Sequence, residues 1–86
     1  QYEREFEVLR VRARCDIARA MSGDVPRSEQ AAREVEAIVC SRFPGNPEFE
    51  VYHASAWRHV CAALAKAERP AECAAVARKV DAIIGD

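Results

Sequence analysis

Glycine is scarce in this sequence, with three among 86 residues. Each of them, Gly23, Gly45 and Gly85, follows or ends a stretch of helical periodicity. No glycine-rich loop is therefore available to cradle a phosphate on successive backbone N–H groups. The alternation of β-branched or aromatic with polar residues that marks a half-buried strand is almost absent. No apolar run is long enough to cross a bilayer, and no signal-peptide pattern is visible. A cytoplasmic protein with no membrane partner is the expectation. An excess of one charge is lacking too: 13 basic and 14 acidic residues leave a net charge of −1. No long-range field draws in nucleic acid, so none is expected as a partner. The four cysteines contain no Cys-x-x-Cys, and the strong zinc signature is absent.

What is present is alanine, arginine and helical spacing. Little lysine beside much arginine and alanine resembles the composition of a protein from a GC-rich bacterium. Gln1 in place of methionine is read as a processed or trimmed start. The length suits one domain spanning 1–86, or a piece of a longer protein. A domain of this size buries a modest core, and association would help to stabilise it.

Apolar residues recur at intervals of three and four, which predicts four helices. The first spans about Tyr2 to Met21, with one apolar stripe of Tyr2, Phe6, Leu9, Ala13, Ile17 and Ala20. Val8, Val11, Cys15 and Ala18 widen that stripe. Its arginines alternate with acids and read as a solvated, ion-paired face. Ser22-Gly23-Asp24 ends it, with glycine in the left-handed conformation that closes helices. The second begins near Val25-Pro26, with Ser28 as a rival N-cap, and buries Ala31, Ala32, Val35, Ile38, Val39 and Phe43. Asn46-Pro47-Glu48 is the clearest start signal: a capping side chain, a proline, then an acid at the positive end of the helix dipole. The third helix runs from there to about Ala67, and its apolar positions cover more than half its circumference. Such a helix packs on two sides. The fourth spans Pro70 to Ile84, with Cys73, Val76, Ala77, Val80, Ile83 and Ile84 inward, and Gly85 ends it. Short linkers make neighbours antiparallel. The expected fold is all-α, four antiparallel helices in two helix-turn-helix hairpins, 2–43 and 48–84.

Candidate chemistry is sparse. Each cysteine lies on an apolar stripe or its edge, where a thiol behaves as a small hydrophobe. Cys61 and Cys73 flank a tight turn and are the best candidates for a disulfide. His53, Trp57 and Cys61 share one face of the third helix. Helical rise separates His53 from Cys61 by about 12 Å, too far for one metal unless another helix supplies the rest. No metal or cofactor is expected. Glu34/Glu36 and Glu48/Glu50 are two residues apart and point to different sides of their helices. No nucleophile, base and orienting group are placed together, so no enzymatic activity is expected. Phe49, Tyr52 and Trp57 crowd the third helix, either as core or as an anchor surface with Arg58. Tyr2 and Phe6 either pack on the third helix or extend outward as a docking helix.

The second hairpin, within residues 54–86, resembles a tetratricopeptide repeat. Trp57, Val60, Cys61, Leu64, Cys73, Ala77, Val80 and Gly85 stand at that family's signature spacings without a gap. Trp57 matches outright, and Val60 and Leu64 keep bulk. Cys61 and Cys73 occupy the close-contact positions that the family gives to glycine and alanine. Ala77 is smaller than the family's phenylalanine. The first hairpin departs further, because its turn from Ser22 to Arg27 is long. An ordinary four-helix bundle is the alternative. The resemblance implies a protein-binding module whose stacked helix pairs grip a partner segment. The expected function is non-catalytic: an adaptor or chaperone-like module binding a protein or peptide in a helical groove. The alternative is a self-associating bundle, a homo-oligomer or a subunit of a larger assembly. Small chaperones of bacterial secretion systems offer an analogy of fold and size.

Overall fold

Local signals in the sequence set the four helices seen in the computed structural model, which describes residues 2–85, the side chain of Tyr2 excepted. They are α1 (Tyr2–Ala20), α2 (Val25–Arg42), α3 (Pro47–Lys66) and α4 (Pro70–Ile84). The predicted boundaries hold to within a residue or two, the usual uncertainty of a helix end. α2 is capped by Asp24, whose carboxylate accepts from the Arg27 N–H at 3.3 Å. Ser28, the rival cap, is instead inside the helix and fully buried. The Asn46 side chain caps α3, accepting from the N–H groups of Glu48 and Phe49. Gly85 closes α4 in the left-handed conformation, at φ 90°.

Two turns differ from expectation. Gly23 does not adopt a positive φ; the α1–α2 turn closes through Ser22 N–H to Arg19 C=O and Asp24 N–H to Met21 C=O. At the end of α3 the left-handed position falls to Glu68, at φ 60°. Arg69 N–H reaches Leu64 C=O and Glu68 N–H reaches Ala65 C=O, the paired bonds of a Schellman closure.

Contacts fix the directions. Arg14 pairs with Glu34, and Ser28 bonds Ala18, so α1 and α2 run antiparallel. Arg4 meets Glu48 and Lys66 meets Ser22, both 44 residues apart, so α1 and α3 run parallel. α3 packs against α1, α2 and α4, whereas the α4 backbone contacts α3 alone. The Cα envelope is flat, 42 × 27 × 14 Å. The core joins Val11, Cys15, Ala32, Val35, Val39, Phe49, Ala56, Trp57, Val60 and Leu64. As expected, α3 is packed on more than one side.

The inward face of α1 is the main correction. Among its described side chains the buried ones are Glu7, Val11, Cys15 and Ala18, while Phe6, Leu9, Ala13, Ile17 and Ala20 are exposed. The larger side chains point outward and the narrower set makes the core. Val11, Cys15 and Ala18 suit close approach to α2 and α3, and Glu7 enters beside them because Arg10 and Arg42 neutralise it. α4 is an edge helix with no fully buried residue; Cys73, Val76, Val80 and Ile83 are half-buried, while Ala77 and Ile84 are exposed.

Candidate functional site

Two features stand out from the packed interior: the outward face of α1 and a polar cluster where α2 meets α3.

On α1, Phe6 and Leu9 are 65% and 61% exposed, and Ile17 is 42% exposed. Beside them Arg4, Glu5, Val8, Leu9 and Glu48 line a shallow groove, with the Arg4–Glu48 ion pair of 2.6 Å on its rim. The floor is apolar and the rim charged. Of the candidate binding residues, Phe6 and Arg58 are exposed and Tyr52 is half-buried. Phe49 and Trp57 are core, at 0% and 3% exposure. Phe49 stacks on Phe43 with ring centroids 3.9 Å apart and meets Tyr52 edge-on. The Tyr2 side chain lies outside the described residues. The surplus apolar surface expected on α3 is largely covered by its three neighbours, and the larger unpartnered set is on α1.

Cations from two other helices approach the Trp57 ring. Lys79 Nζ of α4 is 4.6 Å from the ring centroid and the Arg33 guanidinium of α2 is 5.9 Å away. Both distances suit attraction to the electron-rich ring face. The indole N–H is buried without a hydrogen-bond partner among the described residues.

Next to Trp57, one turn earlier on α3, is His53, 4% exposed. Its Nδ1 is 3.3 Å from Glu50 Oε1, and its Nε2 is 3.5 Å from Glu36 Oε2. Glu50 is itself held, because its other oxygen accepts the Gly45 N–H at 3.2 Å. Glu36 also receives Lys79 Nζ at 3.1 Å. Cys40 stands one turn beyond Glu36 on α2. The ligand atoms of Glu36, Cys40 and His53 all lie within 4.8 Å of one another. Cys40 is exposed, so its thiol is not the buried small hydrophobe expected of the cysteines. Partial burial, then the Glu36 and Glu50 carboxylates, push its thiol pKa up, and Lys79 partly offsets them.

This cluster was not legible from spacing. His53 shares a helical face with Cys61, yet the sulfur near it comes from Cys40 on α2. Glu36 looks like a surface acid within α2, and only the α2–α3 crossing turns it toward the imidazole, whereas Glu50 faces His53 within α3. The signal that survives in the sequence is local: Glu36 and Cys40 are one turn apart, as are Glu50 and His53.

The remaining thiols are structural. Cys15 donates to Tyr52 C=O at 3.3 Å, and burial followed by the nearby Asp16 pushes its pKa up to about 11. Cys61 and Cys73 are free and half-buried. Each donates to the other's backbone carbonyl, at 3.6 and 3.4 Å, so both small side chains lie in the α3–α4 contact.

No protein-family model matches this chain, and neither does any curated protein or solved structure.

Proposed function

We propose that the chain is a non-catalytic protein-binding module and that the outward face of α1 docks an amphipathic helix of a partner protein. The observation that carries the reading is the exposed row Phe6, Leu9, Ala13 and Ile17. Its steps of three, four and four residues make a seam about 16 Å long at the rise of an α-helix. A seam with that period accepts the anchors of another helix at matching intervals. The charged groups along α1 are of both signs, so they give orientation and a polar rim more than affinity.

The helix order supports a stacked-hairpin scaffold of tetratricopeptide type. α1 and α3 lie side by side in parallel, α4 continues outward from α3, and α4 makes no backbone contact that would close a bundle onto α1. The accessible surface, 5515 Å², also exceeds the roughly 5,100 Å² usual for a folded monomer of this mass. An open stack of two hairpins leaves a face for a partner segment.

Leu9→Asp tests the reading. Because Leu9 is exposed, the substitution leaves folding stability within about 0.5 kcal/mol. Crosslinking in the native source, followed by identification of captured proteins and reconstitution with a synthetic helix from the captured chain, gives the readout. Loss of that helix's binding in Leu9→Asp at unchanged Tm supports the proposal. Concentration-dependent sedimentation abolished by the same substitution assigns the face to a second copy instead. A monomer whose crosslinked partners do not change removes α1 as a docking surface.

A further inference from the structure

The polar cluster between α2 and α3 uses none of the exposed α1 row, and its chemistry is of another kind. We infer that Glu36, Cys40 and His53 form a three-ligand site for a divalent transition-metal ion of the zinc type, with the fourth position toward solvent beside Cys40.

The buried imidazole is the starting point. His53 Nε2 has no hydrogen-bond partner among the described residues although it is shielded from water, and Glu36 Oε2 lies only 3.5 Å from it. A buried polar atom in that state costs free energy unless something fills the gap. A metal satisfies it. At bond lengths of about 2.0–2.3 Å, tetrahedral ligand atoms lie roughly 3.3–3.6 Å apart. The His53–Glu36 pair already has that separation. The cluster as a whole spans no more than 4.8 Å, and Cys40, being exposed, closes the rest by a change of rotamer.

The donor set selects the ion. One sulfur, one imidazole nitrogen and one carboxylate oxygen suit a borderline ion such as Zn²⁺, whereas Mg²⁺ and Ca²⁺ prefer oxygen alone. The charges balance. Thiolate and carboxylate neutralise the divalent ion, and the thiol proton is released to solvent as the Cys40 sulfur binds. The imidazole is oriented from behind. Glu50 faces Nδ1, which favours the tautomer that leaves Nε2 free to coordinate, and Gly45 N–H holds Glu50 in place. Lys79 is the competing cation. Its ammonium, which also lies over the Trp57 ring, neutralises Glu36 Oε2 in the metal-free site and must leave that oxygen when the ion enters.

Titration of the whole chain with Co²⁺, and its displacement by Zn²⁺, tests this directly. A single equivalent should produce tetrahedral d–d bands with thiolate-to-cobalt charge transfer, and Zn²⁺ should raise Tm. Cys40→Ser should abolish the charge-transfer band. Glu36→Gln should weaken binding at least about 10-fold, and Glu50→Gln about 10- to 100-fold through loss of imidazole orientation. Lys79→Met should tighten it several-fold, which a merely structural role for Lys79 would not do. Cys61→Ser should leave the spectrum intact. His53 is buried and its replacement threatens the fold, so Cys40→Ser and Glu36→Gln carry the decision. A wild-type chain with no thiolate band overturns the inference, as does a band that survives Cys40→Ser or depends on Cys61.

Discussion

The Ser28 hydroxyl of α2 donates to the Ala18 carbonyl of α1 at 2.8 Å, and both residues are fully buried. The neighbouring carbonyls of Ile17, Arg19 and Met21 are taken by the backbone of the α1–α2 turn. The last carbonyls of a helix lack intrahelical partners, and Ser28 supplies one from the next helix. Ser28→Ala should therefore cost about 1–3 kcal/mol, the penalty for an orphaned buried acceptor. Urea denaturation of the two proteins measures it. A change below about 0.5 kcal/mol would mean that water replaces the hydroxyl.

Glu7 is buried, whereas the two arginines that pair with it, Arg10 and Arg42, are about half-exposed. The cost of breaking the cluster is then asymmetric. Arg42→Ala leaves a shielded carboxylate with Arg10 alone and should destabilise by about 2–3 kcal/mol. Glu7→Met removes the buried charge and frees two arginines to hydrate, so its cost should stay within about 1 kcal/mol. Equal losses in chemical denaturation would show that Glu7 is hydrated in solution.

Glu68 holds the left-handed position that ends α3. Its Cβ carries a steric penalty there that glycine does not have. Glu68→Gly should stabilise the chain by about 1 kcal/mol, the conformational gain less the extra freedom of an unfolded glycine. Destabilisation of similar size would show that the Glu68 side chain makes contacts outweighing the strain.

Trp57 fills the space between α2, α3 and α4 and has Lys79 and Arg33 against its ring. Trp57→Ala should cost about 3–5 kcal/mol. Trp57→Phe should recover most of that, since it restores an apolar ring and removes the unpartnered indole N–H. Thermal unfolding of both variants checks the ranking; a Phe variant no better than Ala would locate the loss in the cation contacts.

Two groups give the stability a pH dependence at opposite ends. Burial of Cys15 raises its folded-state pKa from 9.0 to about 11. Its contribution is fully present below the unfolded value and is lost as pH rises through the folded one, on the order of 2 kcal/mol. Burial, then the charges of Arg19 and Arg58, hold the His59 imidazole below its usual range. That contribution is present above the unfolded value near 6.5 and is lost as pH falls through the lowered one. Urea midpoints measured across pH should bend down at both ends. Cys15→Ala should flatten the alkaline limb and His59→Gln the acid limb; slopes unchanged by either substitution would remove that group as the cause.

The number of helices and nearly all their ends were written locally. Asn46-Pro47-Glu48 starts α3 and Pro70 starts α4 because caps and prolines act on their own turn. Periodicity also showed α3 to be the central helix, since its apolar positions exceed one face. Which side of α1 turns inward was decided by packing. Phe6, Leu9 and Ile17 form a strong stripe, but α2 and α3 meet the opposite, narrower face of Val11, Cys15 and Ala18. Periodicity reports that two faces exist and carries no information on which one a neighbour covers. The same holds for His53: its spacing along α3 points to Cys61, while the α2–α3 crossing brings Glu36 and Cys40 to it. Contacts within a helix follow from rise and turn. Contacts between helices depend on crossing angle and axial offset, and those emerge only when the whole core has packed.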